Sequence, residues 1–446
     1  MSSKRSVISN LGFFLQIMGL FLILPIAIGF QAGELQATSS FVATAFLSFA
    51  VGFVLNSFAE RKELDERTSL WLMLSTFTVL PLVLMVPFIW NNVFNSGNPL
   101  DLFTSAYFET VSGFTTTGFT FVAHPESLPT SLLSYRSLVE FIGGIGFVYI
   151  LVAFLYPKDN LDAFGKTFGV EKISDNLKKV FAAVILVYTF FAVLFTAIFY
   201  FIYSPNLITS SCAAMDVLTG GYQPNISGGV GLLQISILAL MLLGSLNFGF
   251  HYNLFRLKRR GLFTPEIKFY LGVLAISTVI ISVLAWINPF DSLFHVVSMV
   301  SSTGIDYINV AATPLPAKIF LILIGLAGGC AFSMAGGIRM QRIRQLVNAL
   351  RRSDDKPTRE ELKSILTFII GFVVILFVFS LAFATLGLTL LDSIFEVGSA
   401  LTTNGISMGA TTIALPIGYK WLLILAMIIG RVEIVSIFRA IISRNH

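Results

Sequence analysis

The sequence predicts an all-α polytopic membrane protein, and three observations support this fold class. Hydrophobic residues make up 55% of the 446 residues, and charged residues make up only 12%, about half the charged fraction of a typical soluble protein. The mean hydropathy is +0.84. Apolar runs of about 20 residues, long enough to cross a bilayer as helices, recur along the whole chain. These properties exclude a large soluble domain.

Ten of the apolar runs are predicted to be transmembrane helices. Their approximate limits are 9–30, 40–58, 68–90, 131–156, 177–203, 229–255, 265–288, 316–338, 364–388 and 417–441. The first run follows Lys4 and Arg5, as a signal peptide would. It is long for such a peptide and lacks a clear cleavage pattern, so we expect it to be a retained span.

Four further apolar segments are too short to cross the membrane: 101–114, 205–217, 290–301 and 390–402. As a helix each would be about 20 Å long, less than the hydrocarbon thickness of about 30 Å. Each leads into a cluster of Thr, Ser and Gly residues. We predict four short pore helices that enter the membrane without crossing it.

The basic residues predict the topology. All but four of the 29 lysines and arginines lie at the two termini or in segments 59–67, 157–180, 256–268 and 339–363. If these segments are cytoplasmic, both termini are cytoplasmic and all four short helices enter from the outer side. The protein is therefore expected in the cell (inner) membrane, in contact with lipid. We attribute the net charge of +5 to the basic residues of the cytoplasmic segments, and not to binding of nucleic acid.

A related five-residue loop follows or ends each short segment, with glycine at its fourth position. Loops 1 to 4 are TTTGF at 115–119, LTGGY at 218–222, SSTGI at 301–305 and TTNGI at 402–406. In loops 1, 3 and 4 a serine, Ser112, Ser298 or Ser399, stands six residues before that glycine. Each loop lies between two spans. The sequence therefore predicts four span–pore helix–span repeats around one pseudo-fourfold pore, preceded by two extra helices.

The predicted divisions follow these repeats. They are 1–66 for the two leading helices, 67–157 for repeat 1, 158–257 for repeat 2, 258–352 for repeat 3 with a broken second helix, and 353–446 for repeat 4.

Non-helical backbone at membrane depth is tolerated only where it is buried in protein or lines a water-filled cavity. Four such loops around one axis would present carbonyl and hydroxyl oxygens, which can replace the hydration shell of a monovalent cation. None of the four loops contains a carboxylate, which argues against a site for a divalent ion. We interpret the loops as a selectivity filter.

The candidate filter residues are Thr115, Thr116, Thr117, Gly118, Leu218, Thr219, Gly220, Gly221, Ser301, Ser302, Thr303, Gly304, Thr402, Thr403, Asn404 and Gly405. The candidate ligands of the transported ion are Thr116, Thr117, Thr219, Gly220, Ser302, Thr303, Thr403 and Asn404. No cofactor is expected in this chain.

The chain resembles the Trk/Ktr/HKT superfamily of potassium transporters along its whole length. The similar motifs are SGFTTTG at 112–118, RSLVEFIGGIG at 136–146, GGCAFSMAGGIR at 328–339 and GRVEI at 430–434. The two leading spans make it similar to a TrkH-like pore-forming subunit. In this superfamily, glycine at the fourth position of all four loops goes with potassium selectivity, and serine in loop 1 goes with sodium transport. The resemblance therefore implies potassium uptake across the plasma membrane.

The resemblance also implies a homodimer with one pore per protomer and a cytosolic nucleotide-binding regulatory protein of the TrkA/KtrA kind. Two features depart from the superfamily's usual pattern: loop 2 has fewer hydroxyls, and Phe332 and Met334 replace smaller residues. The basic stretch 339–363 could bind that partner or anionic lipid, or could be an ordinary solvated loop.

Five glycines lie within 325–337, inside the predicted span that follows loop 3. Glycine in a helix interior costs about 1 kcal/mol, so this span is expected to break. The resemblance implies an intramembrane gate here, and the alternative is close helix packing. The candidate gate residues are Gly328, Gly329, Phe332, Ser333, Met334, Gly336, Gly337 and Arg431.

Arg431 lies inside the last span, where an ionisable side chain is expensive and usually functional. It could instead reach the cytoplasm or pair with Glu433. Glu109, His295 and Glu396 each stand nine residues before the glycine of their loop. They could attract cations at the mouth or hold the loops by hydrogen bonds, and we favour the second role.

Asp101, Asp291 and Asp392 are predicted to be N-caps of pore helices. Cys212 and Cys330 are predicted to be free thiols.

Several function classes are excluded. The chain has no GxGxxG or GxxxxGK[ST] nucleotide motif, and it has neither HExxH nor GxSxG. We therefore do not expect an enzyme. Two alternatives of the same fold remain open, a potassium symporter coupled to sodium or protons and a less selective K+/Na+ transporter.

Overall fold

The computed structural model describes residues 2–57, 66–150, 177–222, 231–255, 262–285, 287–307, 313–351 and 356–432. Within these ranges every regular element is a helix and no strand occurs. The predicted all-α class is therefore confirmed for the described residues. Three predicted repeat boundaries, at 157/158, 257/258 and 352/353, lie outside them.

Two leading helical segments precede the repeats. The first runs through Ser2–Phe21 and Ile23–Ala32, and the second is Leu35–Ser57. Gly33, with a φ of 73°, reverses the chain between them. The carboxylate of Glu34 then accepts hydrogen bonds from the Thr130 and Ser131 N–H groups at 2.7 and 2.9 Å. This contact ties the leading helices to the first repeat.

The rest of the chain repeats one arrangement four times. The opening helices are Glu66–Leu84 with its continuation Val86–Trp90, Leu177–Ile202, Pro265–Ala285 and Arg359–Ala384. Short helices 1 to 4 are Pro99–Phe114, Leu207–Thr219, Pro289–Ser301 and Leu390–Leu401. Closing helices 1 to 4 are Thr130–Ile150, Leu232–Ser245, Leu315–Ala327 and Ile417–Val432.

The N-caps of the short helices differ from the prediction. The side chains of Asn98, Asn206, Asn288 and Thr389 accept hydrogen bonds from the first-turn N–H groups. The prediction that Asp101, Asp291 and Asp392 are caps is wrong, because each lies inside the first helical turn. At that position a carboxylate faces the positive end of the helix dipole instead.

The four repeats pack into a closed ring. Each short helix contacts the opening and closing helices of its own repeat. Closing helices 1, 2, 3 and 4 also contact short helices 2, 3, 4 and 1, respectively. A partly buried ion pair joins the last repeat to the first, since Lys420 Nζ lies 2.8 Å from Asp101 Oδ1 and donates to Ser105 Oγ at 2.9 Å.

Six of the described helices are long and apolar enough to cross a membrane, or seven if one bent pair is a single span. The six are the two leading helical segments and the four opening helices, and they make the chain a multi-pass membrane protein. The closing helices do not reach this standard as continuous spans. Closing helix 3 ends early, and closing helix 4 is described only as far as Val432.

The predicted span 229–255 is not one straight helix. Closing helix 2 ends at Ser245, and the next helix, Phe248–Phe255, is bent away from it by 105°. The break exposes backbone groups that pair with another segment: Cys330 N–H donates to Ser245 O, and Phe248 N–H donates to Phe332 O, both at 3.1 Å. A long-range contact therefore replaces hydrogen bonds that a continuous helix would make.

Candidate functional site

The four loops contact one another in a closed ring. A Cβ added to a glycine of one loop would lie closer than 3.0 Å, a separation that real Cβ atoms essentially never show, to the backbone of the next loop. The pairs are Gly118 with Gly221, Gly220 with Ser302, Gly304 with Asn404, and Gly405 with Thr117. Any side chain at these glycines would therefore push two loops apart.

Loops 1, 3 and 4 share one backbone conformation. Thr116, Ser302 and Thr403 have φ values of 56°, 57° and 52°. The glycine two residues later in each loop also has a positive φ, of 82°, 68° and 80°. The left-handed conformation opposes a side chain. At the fourth position of these loops glycine is therefore required for two reasons, its positive φ and the close approach of the next loop.

Loop 2 differs in detail. Its residue with positive φ is Gly220, at 84°, and not Gly221. Gly221 is required for space, because a Cβ there would collide with the carboxylate of Glu140. The fourth-position glycine therefore has a different backbone role in loop 2 from the one it has in loops 1, 3 and 4.

Loops 1, 3 and 4 share a backbone hydrogen bond to the serine that precedes them. Thr117, Thr303 and Asn404 each donate their N–H to the carbonyl of the serine five residues earlier, at 2.8, 3.2 and 2.8 Å. In loop 2, Gly220 N–H donates to Asp216 O at 3.0 Å instead. These bonds turn the chain out of each short helix and into its loop.

Buried oxygens of two kinds line the ring. The hydroxyls of Thr116 and Thr403 are buried and have no hydrogen-bond partner among the described residues. Thr219 Oγ1 donates to Glu140 at 2.7 Å. The side-chain amide of Asn404 donates to Met299 O at 2.9 Å, so it braces short helix 3. Hydroxyl and carbonyl oxygens are suitable ligands for a monovalent cation.

Two glutamates hold loops 1 and 4 in the same way. Glu109 accepts from Thr120 Oγ1 at 2.8 Å and from Phe121 N–H at 3.1 Å. Glu396 accepts from Ser407 Oγ at 2.7 Å and from Met408 N–H at 2.9 Å. Both carboxylates are fully buried. The hypothesis that these acids hold the loops by hydrogen bonds is confirmed.

The other two loops are held differently. The hypothesis fails for His295, whose Nδ1 lies 2.7 Å from Asp291 O of its own helix and which, within the described ranges, makes no hydrogen bond to loop 3. Its ring packs against Tyr307, with ring centroids 5.1 Å apart, so loop 3 is braced by an aromatic contact. Loop 2 is held by Glu140 of closing helix 1, which accepts from Thr219 Oγ1 and from Tyr222 N–H, the latter at 3.0 Å. Sequence analysis missed Glu140. The feature that could have identified Glu140 is its position as an ionisable residue inside a predicted span.

Arg136 links loops 1 and 2. Its guanidinium lies 2.7 Å from Glu109 Oε1 and 3.9 Å from the ring centre of Tyr222. Tyr222 in turn donates to Glu109 O at 2.9 Å. The two side chains of the ion pair are 2% and 0% exposed, so each charge depends on the other for stabilisation.

We expect Arg136→Gln to destabilise the fold, because it leaves Glu109 buried without its cation. Removing one partner of a buried pair costs about 3 kcal/mol or more, which corresponds to a fall of about 5 °C in apparent Tm. Thermal unfolding followed by size-exclusion chromatography in detergent measures it.

The matched control is His124→Gln, which removes the ion pair between His124 and Glu126. Those side chains are 77% and 71% exposed, and exposed pairs contribute about 0–1 kcal/mol. Equal Tm changes for the two variants would contradict the stabilising role of the buried pair.

The segment 328–337 leaves the helix as predicted. Closing helix 3 ends at Ala327, and the chain resumes a helix at Met340–Leu350. Gly328, Phe332 and Gly337 have φ values of 71°, 58° and 85°, which no helix contains. The predicted break at mid-span is confirmed.

This segment, which we call the intramembrane loop, lies directly against the ring. Gly336 N–H donates to Ser302 Oγ at 3.0 Å, and a Cβ on Gly336 would collide with Thr402 O. On its other side, Ala331 N–H donates to Glu266 Oε1 at 2.6 Å. The intramembrane loop is therefore anchored to loop 3, loop 4 and the third opening helix.

Arg431 also holds the intramembrane loop. It is 1% exposed, its Nη1 donates to Met334 O at 2.9 Å, and its guanidinium lies 4.0 Å from the ring centre of Phe147. Its Nε and Nη2 have no hydrogen-bond partner within the described ranges. The alternative that Arg431 reaches the cytoplasm is wrong. Glu433 lies outside the described residues.

A cavity of about 630 Å³ opens onto the ring, and we call it the outer cavity because the predicted topology places it on the external side. Gly118, Gly221, Gly304 and Gly405 all line it, so one glycine from each loop faces the same space. Both cysteines are free and buried, as predicted. No group of three or more His, Cys, Asp or Glu residues able to hold a metal ion occurs in the described part of the chain.

Comparisons with known proteins agree with this architecture. The model of the TrkH family, described as a cation transport protein, matches residues 91–223 and 271–444, more than half of the chain. The chain is 26% identical to an uncharacterized cation transporter of Methanocaldococcus jannaschii, covering 97% of this chain and 94% of the relative.

It is 25% identical to the Trk system potassium uptake protein TrkH of Salmonella typhimurium, covering 90% of this chain and 91% of that protein. The crystal structure of the potassium transporter TrkH from Vibrio parahaemolyticus matches with a TM-score of 0.82 at 20% identity, covering 97% of both chains. That likeness shows a common fold. The chain belongs to the TrkH family of cation transport proteins.

Proposed function

We propose that this chain carries potassium into the cell through the ring formed by loops 1 to 4, which acts as a selectivity filter. The observation that carries the proposal is the ring itself, in which a glycine of each loop packs against the backbone of the next. Such a ring surrounds a permeating ion with oxygens from four sides. The relative from Salmonella typhimurium, matched over nearly its full length, is a potassium uptake protein.

The ligands proposed for potassium are neutral. The free hydroxyls of Thr116 and Thr403 are in equivalent positions of loops 1 and 4, and the backbone carbonyls of all four loops complete the set. The carboxylates of Glu109, Glu140 and Glu396 are occupied by hydrogen bonds behind the loops. This arrangement suits a monovalent ion better than a divalent one.

The proposed topology has ten transmembrane helices, with both termini in the cytoplasm and the outer cavity on the external face. The six long apolar helices supply the lipid-facing wall. The four closing helices supply the remaining spans and pack against the short helices inside it. The functional unit is proposed to be a homodimer in the cell membrane, with one pore in each protomer.

The intramembrane loop is proposed to be the gate. It lies against loops 3 and 4 and is held there by Arg431. A positive charge near a narrow passage opposes a cation by about 4 kcal/mol at 4 Å and an effective dielectric of 20. Phe332 and Met334 add apolar bulk, which favours a dewetted closed state. Displacement of this loop would open the path.

A cytosolic nucleotide-binding protein of the TrkA/KtrA kind is proposed to control the gate. The helix Met340–Leu350 begins directly after the intramembrane loop and belongs to the basic stretch 339–363. A partner that moved this helix would pull on the loop. This chain has no nucleotide motif of its own.

We expect ATP or NADH to change potassium flux only when that partner is present. Rubidium flux into liposomes, with and without the partner, measures the response. Saturable nucleotide control of the isolated chain would contradict the proposed division of roles.

The experiment that tests the function is rubidium uptake into liposomes that contain the purified chain, with competing external cations. We expect potassium to compete strongly and sodium and lithium to compete weakly. Equal competition by potassium and sodium would favour the less selective alternative. Uptake that requires an inward sodium or proton gradient would favour a symporter.

A further inference from the structure

An acidic side chain outside the four loops has no assigned role. Asp216 lies in the last turn of short helix 2, Leu207–Thr219, and is 7% exposed. It lines the outer cavity together with Gly118 and Gly221. Its Oδ1 is buried and has no hydrogen-bond partner among the residues that the structure describes. Ser137 lines the same cavity and interacts with the carboxylate, while its hydroxyl donates to Leu133 O at 3.5 Å.

The charges around Asp216 do not balance. Of the described residues that line the cavity, Arg136 is the one that carries a positive charge, while Glu126, Asp216 and Asp306 are acidic. Arg136 is already paired with Glu109 at 2.7 Å. Glu140, which interacts electrostatically with Asp216, is another buried acid. Buried charges are normally paired. Arg136 also acts electrostatically on Asp216, but its ion-pair partner is Glu109, so Asp216 has no cation of its own.

The position of Asp216 increases this imbalance. The C-terminal end of a helix carries about half a negative charge, and Asp216 lies three residues before the end of short helix 2 at Thr219. An anion at this end is unfavourable, whereas a cation is favourable. A cation bound by the carboxylate would satisfy both the side chain and the helix end.

We propose that Asp216 and Ser137 form an external binding site for a monovalent cation, distinct from the filter. A single carboxylate and a hydroxyl suit a monovalent ion, since divalent ions prefer several carboxylates or an ideal octahedral shell. This inference rests on the proposed function, because the bound ion would pass from Asp216 to the ring. The site would concentrate the transported ion in the cavity before it enters the filter.

Rubidium uptake tests the functional part of this inference. Asp216→Asn keeps the shape of the side chain and removes its charge. We expect the external rubidium concentration for half-maximal uptake to rise about tenfold, with an unchanged maximal rate and unchanged preference over sodium. Asp306→Asn, which neutralises another acid of the same cavity, should change the half-maximal concentration less than twofold. An equal change in the half-maximal concentration for Asp216→Asn and Asp306→Asn would overturn a specific cation site at Asp216.

Anomalous diffraction from crystals of the unmodified protein soaked in rubidium tests binding directly. We expect one peak beside the Asp216 carboxylate, in addition to peaks within the ring of loops. Peaks in the ring without one at Asp216 would overturn this inference and leave the proposed filter intact. A peak at Asp216 without any in the ring would instead contradict the filter. Because this measurement uses no variant, it does not depend on whether Asp216→Asn folds.

Discussion

Gly118→Ser is expected to remove most of the discrimination between potassium and sodium, by about tenfold or more in the ratio of their fluxes. Each factor of ten corresponds to about 1.4 kcal/mol. The added Cβ would collide with the backbone of Gly221, so loop 1 and loop 2 must separate. A side chain at the φ of 82° is also strained. Fluxes of rubidium and sodium into liposomes measure the ratio.

Gly409→Ser is the matched control for backbone strain. Gly409 has a φ of 93°, and no heavy atom of the described ranges beyond its chain neighbours lies within 4 Å of a Cβ placed there. The substitution therefore strains the backbone without moving a neighbouring loop, and the potassium preference should remain. Loss of selectivity in this variant would show that strain, rather than contact between loops, explains the effect of Gly118→Ser.

Arg431→Ala is expected to raise potassium flux in the absence of the partner by about tenfold or more. The substitution removes the hydrogen bond to Met334 O and a buried positive charge beside the path, and each 1.4 kcal/mol removed from a barrier is tenfold in rate. Deletion of 328–334 should have the same effect. Both variants should keep the preference for potassium, because neither change replaces a residue of the four loops.

Two conservative variants separate the charge from the hydrogen bond. Arg431→Lys keeps the charge, and Arg431→Gln keeps a donor that can bond to Met334 O but has no charge. If charge closes the path, the Arg431→Lys variant should keep potassium flux low, and the Arg431→Gln variant should show raised flux. If the hydrogen bond to Met334 is decisive, Gln should be the tighter of the two. Unchanged flux in a folded variant that combines Arg431→Ala with the deletion would show that these residues only pack the bundle.

Sequence patterns predicted the local features of the site because the repeats preserve local geometry. The serine six residues before the glycine is in an equivalent position in three loops, where its backbone carbonyl accepts the same turn-forming hydrogen bond. Glu109 and Glu396 share a position for a similar reason, since each accepts from a hydroxyl and an N–H group of its own loop. The glycines at 328 and 337 predicted the break after Ala327 through their backbone preferences.

Long-range contacts could not be predicted in this way. Glu140 lies 79 residues before Thr219 in sequence, and nothing in its own segment shows that it supports loop 2. The bend after Ser245 depends on the intramembrane loop, which arrives from residues 330–334 to bond with the freed backbone. The predicted N-caps lie one helical turn after the real ones. Asp, Asn and Thr are all favoured N-caps, so residue type alone did not show that the cap is the Asn or Thr three residues before the Asp.

The ring of four loops is proposed to select potassium. The most direct test is the reversal potential of currents through the purified, unmodified chain in a planar bilayer, with potassium and sodium gradients opposed. We expect a reversal potential close to the equilibrium potential of potassium and far from that of sodium. A reversal potential midway between the two would contradict potassium selection by this ring.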